Sequence, residues 1–347
     1  MSQTTSSAKT VNVAVVGLGF MGVTHLRAHL DHPQATVVAV CDGFRLPVNG
    51  VLAGVAGNIQ NSGDIHLGED VKGYKTFDEL LADPNVELID ICTPTPMHAE
   101  QTIAALKAGK HVLCEKPLAR TSEEARKIVD VAKESKGFLM PAMCMRFWPG
   151  WAWLKQVVVA QTYGKVLSAQ FRRVSEMPAW SRNGTYAGGT DLGGALFDLH
   201  IHDTDFVNHL FGRPASVFAS GVMGGAGEIN HVVTQYTYPQ GPAVHAEGSW
   251  LLTKGFNMSY VLLCERATID YDMSRGDKAL IVTEEGQEAR VVAIEAGDGY
   301  AGEINYFIDC VVNGRAPAVV TPYAGCEAIE ICEAEEASIR GGKVVTL

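Results

Sequence analysis

Clustered positive charge, paired cysteines and long apolar runs are all lacking in this sequence. The formal net charge is −11 and no run of Lys and Arg occurs, so nucleic acids and anionic membranes, which favour clustered basic side chains, are not expected as partners. No apolar run approaches the roughly 20 residues that would cross a bilayer. The eight cysteines form no Cys-x-x-Cys pair, which favours reduced thiols in a cytoplasmic protein and argues against a metal site of the zinc type.

Length and composition predict a folded chain of two domains. With 347 residues the chain is too long for one ordinary hydrophobic core. Hydrophobic residues make up 47% and charged residues 19%, which is typical of a soluble globular protein and not of a disordered one. Residues 1–10 are polar and lack the apolar stretch of a signal peptide, so we expect a frayed tail there.

The first half of the chain opens with the pattern of a strand, a glycine turn and a helix. Residues 11–16 are nearly all apolar, as in a strand buried on both faces of a parallel sheet. Gly-x-Gly-x-x-Gly follows at residues 17–22, and a helical apolar pattern comes next. Such a turn lets the backbone approach a pyrophosphate at the N-terminus of the helix. A purely structural glycine turn is the alternative.

An acidic residue follows the second predicted strand. Asp42 comes directly after the apolar run at residues 36–41 and about 20 residues beyond Gly22, the spacing of the acid that binds the ribose in dinucleotide-binding folds. A carboxylate there would repel a 2′-phosphate, so the pattern favours NAD over NADP. Arg45 lies nearby in the sequence and could accept a phosphate, which keeps NADP possible.

Two further predicted strands end in residues suited to a cofactor crevice. The run at residues 86–92 ends at Thr93, and the run at residues 111–114 ends at Glu115-Lys116-Pro117. In doubly wound sheets ligands bind outside the carboxyl ends of the strands, so Lys116 is expected in the crevice. A surface Lys paired with Glu115 is the alternative.

The order of these elements predicts an α/β protein. Alternating strands and helices from residue 11 to 145 indicate an N-terminal Rossmann domain with a doubly wound parallel sheet, and long strand-like runs after it indicate a C-terminal α+β domain with a large, mainly antiparallel open sheet. We expect domains at residues 10–145 and 146–320, and a helix within 321–347 that packs back on the first domain. An open sheet usually pairs with another subunit, which predicts a homodimer or homotetramer.

One predicted helix in the second half, within residues 193–206, concentrates His and Asp. Its apolar residues recur at helical intervals, and the spacing of Asp198, His202 and Asp205 places them on one face. A carboxylate beside an imidazole raises its pKa and fixes its tautomer, which suits a general base near neutral pH. A structural pair of Asp198 and His202 in the core is the alternative.

The glycine turn, the Glu-Lys-Pro strand end and the Gly-Gly…Asp-x-x-x-His helix together resemble the Gfo/Idh/MocA family of oxidoreductases, over nearly the whole chain. The resemblance implies that Lys116, Asp198 and His202 act together on a sugar or polyol hydroxyl, and that Arg146 belongs to an Arg-Phe pair near the substrate. It also implies a set of residues that bind the cofactor: Gly17, Gly19, Phe20, Met21, Gly22, Asp42, Thr93, Pro94, His98, Glu115 and Lys116.

Two further residues are candidates for substrate contact. Relatives often have Gly two residues before the His of the helix, where this chain has His200. His200 is either a hydrogen-bonding partner of the substrate or a packed neighbour. Trp180 belongs to a group of tryptophans with Trp148, Trp151 and Trp153, whose flat faces suit pyranose or cyclitol rings; a place in the core between the domains is the alternative.

The motifs together suggest the oxidation of a secondary alcohol or the reverse reaction. That chemistry needs a base, a cation to stabilise the alkoxide, and a hydride acceptor held near the carbinol. His202, Lys116 and Asp198, the last orienting His202, fit the protein's part. We therefore expect an NAD(P)-dependent oxidoreductase of sugars, sugar derivatives or cyclitols. An NAD-dependent glycoside hydrolase that oxidises transiently and a non-catalytic NAD-sensing regulator are the alternatives, although a regulator has no need of these three residues.

Overall fold

The computed structural model describes residues 9–55, 63–178 and 193–347, which form two compact units. The first unit comprises residues up to Leu118 together with Arg126–Cys144 and Tyr300–Pro322. The second comprises Ala119–Ala125, Met145–Gly299 and Tyr323–Leu347. The main division between Cys144 and Met145 lies next to the boundary expected between residues 145 and 146.

The N-terminal part of the chain alternates strands with helices. In order, its elements are β1 Val11–Val16, α1 Phe20–Asp31, β2 Ala35–Cys41, β3 Val51–Leu52, β4 Ile65–His66, β5 Lys72–Tyr74, α2 Phe77–Leu81, β6 Leu88–Ile91, α3 Thr95–Lys107, β7 His111–Glu115, α4 Ser122–Glu134 and β8 Leu139–Ala142. Six of the strands form a parallel sheet in the order β5-β2-β1-β6-β7-β8. This confirms the predicted doubly wound sheet. Its strand order reverses beside β1, the position where such sheets bind their ligands.

The core of this unit holds the turn after β1 in place. Val15, Leu18, Leu26 and Val40 are buried in one cluster that joins β1, the turn, α1 and β2. Each such side chain contributes roughly 1.5–3 kcal/mol by leaving water. Because Leu18 lies inside the glycine turn itself, the packing of the core fixes the position of the turn.

The rest of the chain forms the second unit and one helix of the first. In order, its elements are a 3₁₀ turn at Cys144–Arg146, α5 Pro149–Val159, β9 Val166–Glu176, a π-helical turn at Leu196–His200, α6 Ile201–Phe211, β10 Ser216–Met223, β11 Ile229–Thr237, β12 Ala243–Cys264, β13 Ala267–Asp272, a 3₁₀ turn at Met273–Lys278, β14 Leu280–Glu284, β15 Arg290–Val291, α7 Gly299–Val312, α8 Pro322–Gly341 and β16 Val345–Thr346. No helix among the described residues is both long enough and apolar enough to cross a membrane.

The sheet of the second unit is antiparallel and is organised around β9. Strand β12 bends back on itself, so that Ala246 in its first arm and Tyr260 in its second arm both pair with Phe171 of β9. Gly255 at the bend has a φ of +85°, a conformation that costs glycine little and other residues much. The predicted large, mainly antiparallel sheet is therefore confirmed.

The aromatic side chains near the start of the second unit form its core. Trp151 on α5 is fully buried, with its ring centroid 4.7 Å from that of Tyr271, 5.0 Å from that of Tyr260 and 6.4 Å from that of Phe206. These are edge-on contacts of the kind that stabilise aromatic clusters. Of the tryptophans considered for sugar stacking, Trp151 thus belongs to the core.

The C-terminal helix α8 is grouped with the second unit. Helix α8, within the residues 321–347 expected to pack on the first domain, belongs to the second unit from Tyr323 onward. Glu335 of α8 is buried and accepts hydrogen bonds from Tyr236 of β11 (2.7 Å) and Thr204 of α6 (3.2 Å). Helix α7 is the one that joins the first unit. The polar partners of Glu335 lie far away in the sequence, so the apolar periodicity of α8 did not indicate which unit it joins.

Candidate cofactor and catalytic sites

The glycine turn after β1 leaves open space at the N-terminus of the helix that follows it. Gly17 has a φ of +85°, and a Cβ there would lie 2.7 Å from the carbonyl oxygen of Cys92. A Cβ on Gly22 would lie 1.7 Å from the carbonyl oxygen of Gly17. A Cβ on Gly19, in contrast, would have no neighbouring atom within 4 Å. The first and third glycines are therefore required by the turn, and the second borders open space at the N-terminus of α1, where a helix attracts anions.

Asp42 is held against this turn by backbone donors. Its Oδ2 accepts a hydrogen bond from the backbone N–H of Leu18 (2.7 Å), and its Oδ1 accepts from those of Phe44 (2.8 Å) and Arg45 (2.9 Å). The Arg45 guanidinium donates to the carbonyl oxygens of Leu18 and Ala53. Asp42 and Arg45 thus both lie beside the glycine turn.

His98 joins the ends of two neighbouring strands. Its ring is buried, with Nε2 2.7 Å from the carbonyl oxygen of Thr93 and Nδ1 2.8 Å from that of Pro117. Burial lowers the pKa of His98, against the effect of the two carbonyls. Thr93 is held further by Gln101, whose side-chain oxygen accepts from the Thr93 hydroxyl at 2.6 Å. The residues after β6 and β7 are therefore fixed to one another at the carboxyl edge of the sheet.

Lys116 follows β7 and lies at the same edge of the sheet. Its backbone N–H donates to Oε2 of the neighbouring Glu115 at 2.8 Å. The Lys116 side chain is half-buried, whereas Glu115 is buried. The carboxylate of Glu115 thus supports the backbone of Lys116 from inside the unit.

The helix that carries Asp198 and His202 begins with an unusual turn. Gly193 and Gly194 both have positive φ, and a Cβ on Gly194 would lie 2.5 Å from the carbonyl oxygen of Ile229. The chain then makes a π-helical turn, Leu196–His200, before the α-helix α6 starts at Ile201. The π turn lies against β11 and β12. Single π turns are rare in proteins, but those that occur often lie at functional sites.

The five His and Asp residues of this segment divide into two groups. His200, Asp203 and Asp205 are buried and have partners on other elements of the second unit. Asp203 accepts from Arg173 at 2.8 Å, and Asp205 accepts from Arg146 at 2.6 Å and 2.9 Å. Asp198, in the π turn, and His202, in the first turn of α6, are half-buried. The carboxylate of Asp205, which the spacing placed on the same face as His202, is engaged by Arg146 in the interior.

His200 belongs to a buried polar cluster. Its Nε2 lies 3.3 Å from the Tyr236 hydroxyl and 3.5 Å from Oε1 of Glu335. Across from it, a Cβ on Gly248 would lie 2.6 Å from the His200 Cβ, so β12 can approach the π turn only with glycine at that position. Buried polar groups of this kind need each other as hydrogen-bonding partners.

The remaining predicted site residues are Phe20, Met21, Pro94 and Trp180. Phe20 and Met21 occupy the first positions of α1, beside the open space at Gly19. Pro94 precedes α3 at the same strand end as Thr93. Trp180 lies outside the described residues. The buried partners Arg173, Tyr236 and Glu335 were not among the predicted residues, because nothing in their local sequence points to the helix at residues 201–211.

Two family models match consecutive parts of the chain. Residues 11–143 match the model described as "Oxidoreductase family, NAD-binding Rossmann fold", and residues 151–270 match that of the GFO/IDH/MocA C-terminal domain. Both matches agree with the resemblance drawn from the motifs.

Curated relatives include dehydrogenases of sugars and cyclitols. The chain is 32% identical to the levoglucosan dehydrogenase of Pseudarthrobacter phenanthrenivorans over 60% of its own length and 53% of that protein, so it spans about half of this relative. It is 27% identical to the myo-inositol 2-dehydrogenase of Thermotoga maritima over 89% of its length and 90% of that protein. A solved structure of levoglucosan dehydrogenase with NADH and L-sorbose is similar with a TM-score of 0.83 at 21% identity, covering 97% of this chain and 99% of that one. This likeness shows a shared fold.

Proposed function

Because the chain belongs to the GFO/IDH/MocA family of oxidoreductases, we propose that it transfers a hydride between the nicotinamide of NAD(P) and a secondary hydroxyl or ketone of a sugar, sugar derivative or cyclitol. One observation carries the proposal for the catalytic residues. Of the five His and Asp residues in the 193–206 segment, Asp198 and His202 are the two that are half-buried, while the other three are buried. A rare π turn sets the position of Asp198.

We assign three roles in the reaction. His202 takes the hydroxyl proton as general base, and Asp198 orients its imidazole and stabilises the charge that forms there. Lys116 would donate to the developing alkoxide and would contact the nicotinamide ribose. When bound, the cofactor supplies the hydride acceptor. The support of Lys116 by Glu115, through the 2.8 Å bond to its backbone, agrees with a lysine whose position matters.

The cofactor is proposed to lie along the carboxyl edge of the parallel sheet. Gly17, Gly19, Phe20, Met21 and Gly22 would surround the pyrophosphate, and the open space at Gly19 supports this. Asp42 would accept from the adenosine ribose, which favours NAD. Arg45 donates to two backbone carbonyls, so it would have to give up bonds to receive a 2′-phosphate. Thr93, Pro94, His98, Glu115 and Lys116 would border the remaining path.

The structure favours indirect roles for two of the residues predicted to face the substrate. Arg146 donates two hydrogen bonds to Asp205, and His200 lies within the cluster with Tyr236 and Glu335. Both side chains are buried, so we propose that they position α6 and the π turn. Substrate contact by Trp180 is proposed from its sequence alone.

A homodimer or homotetramer through the large sheet is also proposed. Burial alternates along β11, with Val232, Thr234 and Tyr236 buried and Val233 exposed. The exposed face of the sheet carries further apolar side chains: Phe218, Val222, Leu251 and Leu263. An open sheet face of this kind is costly to leave in water and usually pairs with another subunit.

A substrate screen tests the proposed function. Purified protein would be incubated with a panel of sugars, sugar derivatives and inositols and with either NAD or NADP, and the absorbance of the reduced cofactor followed. We expect reduction with at least one neutral sugar or cyclitol. Release of sugar from a glycoside without net reduction would instead indicate the hydrolase, and tight cofactor binding without any turnover would indicate the regulator.

A further inference from the structure

The buried face of α1 in the first unit carries a cluster of ionisable residues that the proposed reaction does not use. His25 lies one turn after the glycine turn and is fully buried. Its Nδ1 lies 3.0 Å from Oδ2 and 3.1 Å from Oδ1 of Asp90 on β6. Its Nε2 lies 3.2 Å from Oε1 of Glu115 and 3.8 Å from Oε1 of Glu303 on α7. Four elements of the unit thus meet at one imidazole.

The arrangement favours a charged imidazole. A neutral imidazole carries one N–H, whereas an imidazolium carries a proton on both nitrogens, and here both nitrogens face carboxylates. Asp90, Glu115 and Glu303 are all buried, and a positive charge beside buried carboxylates stabilises them. Burial alone lowers the pKa of an imidazole, but Asp90 outweighs this effect, and the pKa of His25 is raised well above its ordinary value.

The remaining neighbours of His25 agree with this assignment. His29, one turn further along α1, donates from Nε2 to Asp90 Oδ2 at 2.8 Å. The thiol of Cys92 lies 3.5 Å from His25 Nδ1, and burial, with Asp90, raises the pKa of that thiol, which keeps it neutral. The ring of Tyr300 packs 6.3 Å from that of His25.

We infer that His25 is a positioning residue, which links the glycine turn to Lys116 through Glu115. One oxygen of the Glu115 carboxylate faces His25, and the other accepts the Lys116 backbone N–H at 2.8 Å. A positive His25 therefore holds the carboxylate that supports Lys116, and it does so from the helix whose N-terminus faces the open space at Gly19. The inference rests on the proposed function, in which both ends of this link bind the cofactor.

Magnetic resonance on the unmodified protein tests the charge of His25. With ¹⁵N-labelled histidine, the His25 ring is expected to carry protons on both nitrogens at pH 8, where an ordinary imidazole with a pKa of about 6.5 is neutral. A neutral His25 ring at pH 8 would overturn the inference. So would a stoichiometric metal ion held by His25, Glu115 and Glu303, because a metal-bound nitrogen carries no proton.

A matched pair of variants tests the link itself. His25→Gln and His29→Gln each remove a buried imidazole beside Asp90, but only His25 lies against Glu115. Fluorescence titration with NADH is expected to show binding weakened by about tenfold in His25→Gln and by less than about twofold in His29→Gln, since small misplacements of binding groups have large effects. The Lys116 amide hydrogen should also exchange with solvent faster in His25→Gln. Equal effects in both variants would show that His25 is merely structural.

A double-mutant cycle identifies the path of the effect. Glu115→Gln retains an oxygen to accept from the Lys116 N–H but removes the charge that His25 faces. In this background His25→Gln should weaken NADH binding by less than about twofold, since residues that share an interaction are not additive. Additive losses would contradict a path through Glu115.

These measurements separate the inference from the proposed function. NADH titration, amide exchange and ring protonation need no substrate. If the sugar screen fails but His25→Gln weakens NADH binding more than His29→Gln does, the proposed reaction is rejected and the role of His25 is kept. If the screen succeeds but the two variants bind NADH equally well, only the role of His25 is rejected.

Discussion

Asp205 and Arg146 form a bidentate ion pair inside the second unit, with Nε 2.9 Å from Oδ2 and Nη2 2.6 Å from Oδ1. Both side chains are almost completely buried. The pair fastens α6, which carries His202, to the 3₁₀ turn at Cys144–Arg146. Arg146, which the resemblance to the family placed near the substrate, thus holds the candidate catalytic helix α6.

Removing one partner of this pair should be strongly destabilising. Arg146→Ala leaves the Asp205 carboxylate buried and unpaired, which costs about 3–5 kcal/mol. Arg172→Ala is the matched control, because Arg172 pairs with Glu247 at a similar 3.0 Å but on a partly exposed face, where such pairs contribute less than about 1 kcal/mol. Urea unfolding followed by circular dichroism measures both. Similar urea midpoints for the two variants would show that burial of the Arg146–Asp205 pair adds nothing to its contribution to stability.

Replacing the proposed base should abolish most turnover without affecting the cofactor. We expect His202→Ala to lower kcat by about 10²-fold or more, the usual range for a lost general base, because the substrate proton then has no acceptor in place. NADH affinity should stay unchanged. His66→Ala, on the exposed end of β4, serves as control and should keep full turnover. Unchanged kcat in His202→Ala would remove His202 from this role.

The stability of the protein should fall with rising pH above neutrality. The folded-state pKa of His25 is raised above its ordinary value, so its contribution is complete below about pH 6.5 and is lost as pH rises through the folded-state pKa. Between pH 6.5 and 8 the unfolding free energy should decline by up to about 1.4 kcal/mol per pH unit for this one proton. Urea unfolding at several pH values measures the slope.

The range from pH 6.5 to 8 separates the contribution of His25 to the unfolding free energy from the contributions of other titrating groups. Burial lowers the pKa values of His98 and His111, so these add stability only as pH rises toward 6.5. Burial also raises the pKa values of Cys41 and Cys92, whose effect begins near the ordinary thiol pKa of about 8.5. His25→Gln should therefore flatten the decline between pH 6.5 and 8. An unaltered slope in that variant would assign the decline to another group.

Neutralising Asp42 should shift the choice of cofactor. Asp42→Asn keeps an oxygen for the Leu18 N–H but removes the charge that is proposed to repel a 2′-phosphate and to bind the ribose. We expect the preference for NAD over NADP to fall by at least about tenfold, the value of one charge-assisted hydrogen bond. Titration with both reduced cofactors measures it, and Glu69→Gln, an exposed acid of the same unit, is the control. An unchanged ratio would exclude Asp42 from the ribose site.

Charge on the exposed sheet face should dissociate the proposed oligomer. Phe218→Asp places a carboxylate in the apolar face and should give monomers in sedimentation velocity, because an unpaired charge at an interface is costly. Val159→Asp, an exposed apolar residue at the end of α5 outside the sheet, should leave the oligomer intact. A monomeric unmodified protein, or an intact oligomer in the Phe218 variant, would contradict the interface.

Much of the fold was predictable because its signals are local. Apolar runs flanked by glycine indicated β1 and β2, and the helix expected within residues 321–347 corresponds to α8 at Pro322–Gly341. The spacing of Gly17, Gly22 and Asp42 indicated a turn whose geometry the structure bears out. Lys116 was placed at a strand end by the run before it. Each of these inferences needed only neighbours in the sequence.

The tertiary structure decided which polar residues of the candidate helix are buried. By sequence, His200, Asp203 and Asp205 were as prominent as Asp198 and His202, but Glu335, Arg173 and Arg146 engage them from distant elements. The π turn and the place of α8 in the second unit depend on the same long-range contacts. Local periodicity reports which face of a helix is apolar, whereas the pairing of a buried charge depends on which distant side chain the fold brings to it.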